Sequence, residues 1–210
     1  MKPLRVLGID PGLTRCGVGI VDVSATRTPT LVHVSVITTG AELPLEERLL
    51  IIAAGIEALL DEHRPDRVAV ERVFAQHNVR TVMGTAQVSG IALLAAARRS
   101  LAVGLHTPTE VKAAITGYGQ ADKKQVGAMV AKVLRLESVP RPADAADALA
   151  LAICHAWREP LGSAVTGATS GSTLPRASAA PTSALTPAQL AWRAAEQGTA
   201  RRPAAHKLAR

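Results

Sequence analysis

The sequence predicts an α/β domain built on a mixed five-stranded sheet with helices on both faces. Two observations carry this. Short β-branched apolar runs alternate with longer segments of 3.6-residue apolar spacing, and 48% of the 210 residues are apolar while only 2% are aromatic, so the core must be aliphatic. A third bounds the domain: near residue 160 the composition turns abruptly to Gly, Ser, Ala, Thr and Pro. Such a stretch cannot offset its ordering entropy by burial, so residues 1–160 read as one domain and 161–210 as a disordered, basic, low-complexity tail.

The elements follow in order. Residues 5–10 (RVLGID) form a short apolar strand closed by Pro11-Gly12, and 16–23 and 31–38 are β-branched runs joined by a Ser/Thr/Pro turn, so three strands make a meander. Residues 44–63 space Leu49, Ile52, Ile56, Leu59 and Leu60 as a helix face, with Pro65 just beyond. A fourth strand is expected over 67–73, a long helix over 79–99, and a fifth strand over 102–106. Helices are then expected over 109–115, 123–136 and 144–158.

Net charge is +7, but six basic residues against one acid lie in the tail; the body holds 18 basic and 16 acidic residues, net +2. A nucleic-acid partner for the body therefore needs grounds beyond bulk charge. Cys16 and Cys154 match neither a disulfide framework nor a zinc spacing and read as buried thiols of a reducing compartment. The first apolar stretch is too short for a signal peptide, and no run approaches a membrane span. The expectation is a cytoplasmic protein with no membrane contact.

Four carboxylates carry the chemistry. Asp10 ends the run Val6-Leu7-Gly8-Ile9, and Glu71 follows Val68-Ala69-Val70 in the same manner. Asp144 and Asp147 stand i, i+3 at the start of the last helix and so share a face. If strands one and four are neighbours and that helix packs on them, all four converge. Converging carboxylates raise one another's pKa unless cations lie between them. Two divalent ions balance four negative charges, and all-oxygen ligands suit magnesium or manganese rather than zinc. Such a pair serves phosphodiester hydrolysis by activated water. Taken singly, Asp10 fits a turn and Asp144 a helix cap; the joint pattern favours the site.

At these residues, GIDPG (8–12) with Gly17, VAVERVF (68–74), ADKKQV (121–126) and ADAADALALAI (143–153), the chain resembles the RuvC family of crossover junction endodeoxyribonucleases over residues 4–158. The resemblance implies a ribonuclease-H-like fold. It also implies a homodimer that binds four-way Holliday junctions, cuts two strands symmetrically and works with the RuvA-RuvB branch-migration complex. Asp10, Glu71, Asp144 and Asp147 match the family's catalytic, magnesium-binding acids, and relatives with His at position 144 imply tolerance of a neutral ligand there. Phe74, the sole Phe, matches an aromatic that stacks on bases at the crossover. Lys112 and Lys123 match lysines that contact phosphates. Lys124, Arg80, Arg72 and Arg15 are weaker candidates for backbone contacts. Small residues at Gly84, Ala86 and Gly90 in the helix over 79–99 suit either internal packing or a dimer contact.

Three rivals remain. Asp10-Pro11-Gly12-Leu13-Thr14 also fits the phosphate loop of the actin-like ATPases, which need a duplicated fold. A related, shorter RNA-processing nuclease shares the first-strand acid. A noncatalytic junction-binding protein could use the acids as caps alone.

Overall fold

In a computed structural model, residues 2–72 and 79–158 are described, the side chains of 79–81 excepted. The predicted tail, residues 161–210, and Phe74 lie outside them. The strands are β1 (Leu4–Asp10), β2 (Arg15–Val23), β3 (Pro29–Thr38), β4 (Arg67–Glu71) and β5 (Ala102–His106). The helices are α1 (Leu45–His63), α2 (Val79–Arg98), α3 (Pro108–Thr116), α4 (Lys123–Leu134) and α5 (Ala143–Arg158). The sheet runs β3-β2-β1-β4-β5, with β1–β3 an antiparallel meander and β1, β4 and β5 parallel. Parallel neighbours need crossovers, which α1 and α2 supply.

Strand alternation divides the core in two. Leu7, Ile9, Cys16, Val18, Ile20, Val68 and Val70 pack on Ile52, Ile56 and Leu60 of α1 and on Val88, Ala92, Ala95 and Ala96 of α2. Val6, Val21, Val23 and Ala69 point the other way, to α3, α4 and above all α5. Helices thus cover both faces, as expected. Both cysteines are buried free thiols. From Ala148 to Ala156 every residue of α5 is buried, which explains a segment apolar nearly all round its circumference. Among the described residues no helix is long and apolar enough to cross a membrane.

Ends differ from the sequence reading where caps decide them. Arg135 adopts a left-handed conformation (φ 56°) and caps α4 at Leu134, two residues short of expectation. Thr107 caps α3 in a reciprocal capping box with Glu110, which starts that helix at Pro108. β4 ends at Glu71, although the Arg72 amide still donates to the His106 carbonyl.

Candidate active site

The parallel ladder sets Ile9 opposite Val70, so the next residues, Asp10 and Glu71, stand side by side at the C-terminal ends of adjacent strands. Alternation aims both at the α5 face, since Gly8 and Ala69, two residues earlier, face α5. Asp10 also pairs with Gly17 across β1 and β2.

Glycine lets α5 come close enough to add its own acids. A Cβ on Gly17 would overlap the backbone carbonyl of Asp144, one on Gly8 that of Ala148, and one on Gly19 would sit 2.7 Å from the Leu149 nitrogen. The helix backbone therefore rests directly on the strands. Its first turn lies beside the residue paired with Asp10, and Asp147 immediately precedes the residue seated on Gly8.

The electrostatics register this convergence. The Asp10 carboxyl is pushed up to about 7, first by burial and then by repulsion from Glu71, Asp147 and Asp144, with Lys123 opposing. Burial and Asp147 likewise raise Glu71. Two cations hold the helix-borne acids: Lys123 Nζ lies 2.8 Å from Asp147 Oδ2, and Arg15 Nε lies 3.0 Å from Asp144 Oδ2. The hydrogen bond to Asp147 in turn raises Lys123. Lys123 opens α4 directly after its cap, Asp122, which forms a capping box with Gln125. The D-x-x-Q spacing could have shown this cap in the sequence. Asp144 is the second residue of α5, in its acidic first turn, and pairs with Arg15.

The donor set is all carboxylate oxygen, the chemistry of hard divalent cations, and its mutual repulsion is what such cations relieve. In that respect the residues fit a metal site. Among the described residues, though, no three acid, His or Cys side chains are gathered closely enough to hold one ion together.

Of the other sequence-predicted residues, Lys112 is half-buried on α3, Lys124 is exposed beside Lys123, and Arg72 is exposed next to Glu71. Phe74 and the side chain of Arg80 lie outside the described residues. The sequence reading missed Arg15 and Lys123 as counter-ions of particular acids, and the seating role of Gly8 and Gly19. It also missed His106, paired with Glu71 across β4 and β5, whose Nε2 lies 3.0 Å from His155 Nδ1. Burial lowers both imidazoles, His155 to about 4, so the pair adds no positive charge near Glu71 at neutral pH.

Comparison with known proteins bears on what this arrangement does. The family model described as crossover junction endodeoxyribonuclease RuvC matches residues 6–155, which span all four acids. The chain belongs to the RuvC family. The RuvC of Leifsonia xyli subsp. xyli is 65% identical over 208 residues, 99% of each chain. That of Streptomyces griseus subsp. griseus is 66% identical over 157 residues, 75% of this chain and 77% of the other. Among solved structures, a Thermus thermophilus RuvC in complex with Holliday junction substrate superposes with a TM-score of 0.69 at 37% identity, covering 73% of this chain and 93% of that one.

The sheet order and helices are thus the ribonuclease-H-like fold of RuvC. The chain is a RuvC-type crossover junction endodeoxyribonuclease, an enzyme of DNA recombination and repair, and RuvC is a family of metal-dependent nucleases. This sets aside the ATPase, the RNA-processing nuclease and the noncatalytic protein. The family model ends near the close of α5, while the Leifsonia alignment continues through the tail.

Proposed function

We propose that this chain resolves four-way junctions with Asp10, Glu71, Asp144 and Asp147 as its catalytic acids, holding two magnesium ions that manganese can replace. The observation that carries the proposal is the placement of Asp10 beside Glu71 on adjacent strand ends, with the first turn of α5 seated on Gly17, the residue paired with Asp10; burial and the neighbouring acids raise the Asp10 carboxyl in keeping with it. Bound ions supply Lewis acidity toward the scissile phosphate and the attacking water. The chain supplies the rest. The strand ladder sets Asp10 beside Glu71, and the seat of α5 on glycine brings Asp144 and Asp147 to the same end of the sheet.

Lys123 is exposed (73%) while its partner Asp147 is not (21%), so its ammonium can meet a DNA phosphate from the solvent side. Lys112, Lys124 and Arg80 are assigned backbone contacts that position DNA without reading sequence. Phe74 is assigned stacking on a base at the crossover, worth about 1–3 kcal/mol. Symmetric cutting calls for two such sites. The apolar side chains left exposed on the α1 and α2 side, Leu50 (69%), Met83 (56%) and Leu94 (53%), support a homodimer joined through these helices. Residues 1–160 act as the nuclease domain and the tail as a basic appendage. The RuvA-RuvB complex and a cytoplasmic location complete the reading.

The test is a synthetic immobile four-way junction and a matched linear duplex, each with magnesium or with EDTA. Paired symmetric nicks in the junction alone, in magnesium alone, are expected. Asp10→Asn should bind junctions normally and cut on the order of 10³-fold more slowly, several kcal/mol of barrier. Normal turnover by that variant contradicts the site assignment.

A further inference from the structure

Arg48 lies in the opening turns of α1, on the sheet face opposite α5, and touches none of the four acids. Its Nε donates to Thr39 Oγ1 at 2.9 Å and its Nη2 to Thr14 Oγ1 at 2.8 Å. Thr39, just past the end of β3, is buried (6% exposed). Its hydroxyl donates to the Leu13 carbonyl at 2.6 Å, and its amide donates to the Thr14 carbonyl at 3.0 Å. The Thr39 hydroxyl thus spends its one proton on Leu13 and a lone pair on Arg48. On the far side, Leu13 lies against Gly84 of α2, where a Cβ would come within 3.3 Å of Leu13 Cβ.

These contacts grip one segment, the Pro11–Arg15 connection between β1 and β2. Asp10 enters it and Arg15 leaves it, and Arg15 is the side chain on Asp144. The strand pairing holds Asp10 on its N-terminal side up to its partner Gly17, and the grip holds the chain that leaves it. A guanidinium with two directed bonds to different chain segments restricts it far more tightly than a point charge does.

We propose that Arg48 is a positioning residue for junction cleavage: acting through Thr39 and Thr14, it fixes the 11–15 loop and so aims Asp10 and Arg15. The inference rests on the nuclease reading above and goes beyond it, since Arg48 neither binds ions nor meets the scissile phosphate. Misplacement by about 1 Å from a remote change costs up to roughly 10²-fold in rate, which sets the scale expected.

The experiment uses the full chain with saturating protein on an immobile junction. It records the single-turnover rate in magnesium, junction affinity in EDTA at two salt concentrations, and melting temperature. Arg48→Ala should slow cleavage by about 10–100-fold with junction affinity and its salt dependence unchanged. Arg48→Lys should recover part of the rate, since one bond can be remade. Thr39→Val should resemble Arg48→Ala, and the two together should cost no more than one alone, because they remove the same grip. Should Arg48→Ala fail to fold, Thr39→Val and Arg48→Lys give the same reading.

Three results overturn the inference. A lower melting temperature with an unchanged rate below it marks Arg48 as purely structural. Weaker binding with a reduced salt slope marks it as a phosphate contact. Additive effects of Arg48 and Thr39 show that no shared grip exists. If the wild type leaves the junction intact, the nuclease reading itself fails, a result distinct from these three.

Discussion

The two faces of the sheet are packed by different means. Toward α1 and α2, branched aliphatic side chains such as Leu7, Ile9, Ile20, Ile52 and Ile56 fill the space between layers. Toward α5, Gly8, Gly17 and Gly19 remove the side chains from the strands, so that helix backbone meets strand backbone. The first arrangement is an ordinary core, in which volume can be traded among neighbours. The second sets the height of α5 above the sheet, and with it the distance from Asp144 and Asp147 to Asp10. Both faces carry a buried core, and the α5 face in addition sets the spacing of the proposed active site.

Among changes that leave all four acids in place, the largest effect should come from breaking this contrast at Gly17. Gly17→Ala puts a methyl into the Asp144 carbonyl, α5 must lift, and cleavage should fall by about 10²-fold even where the protein stays folded. Ile56→Val, on the other face, should cost about 0.5–1.5 kcal/mol of stability and leave the rate below melting unchanged. Denaturant titration beside single-turnover cleavage separates the two, and equal cleavage by both variants would erase the distinction drawn between the faces.

A smaller effect sharpens the electrostatic side. With its folded pKa about 7 and an unfolded value near 3.8, Asp10 binds more protons in the folded state between those limits. Its contribution to stability is accordingly present at low pH and lost as pH rises through about 7. His155, lowered from 6.5 to about 4, acts in the opposite sense over its own window, costing stability as pH falls from 6.5 toward 4. In EDTA, Asp10→Asn should melt several degrees above wild type at pH 8, with about 2–4 °C for each kcal/mol of relieved repulsion. The gap should close toward pH 5. A melting difference that is the same at both pH values would mean that Asp10 is not crowded by other acids.

Much of this was legible in the chain. Two strands that end in an acid after an apolar run, and two acids at i, i+3 on an Ala-rich helix, mark all four carboxylates. Alternation and helical spacing fix the order of strands and helices, because burial imposes those periods directly. What was not legible depends on approach between distant segments. Gly8 and Gly19 look like weak points in a strand until a helix backbone is found on them. Arg15 and Lys123 look like solvated surface charge until Asp144 and Asp147 are placed beside them. The start of α3 turned on the capping box of Thr107 and the end of α4 on the left-handed Arg135, which a periodicity reading does not weigh.

The account depends most on Asp10 lying at the centre of a divalent-cation site. Calorimetric titration of the full chain with manganese, in the absence of DNA, tests this without relying on turnover. Two ions per chain are expected for wild type, with binding severely weakened in Asp10→Asn. Equal manganese binding by wild type and Asp10→Asn would contradict it.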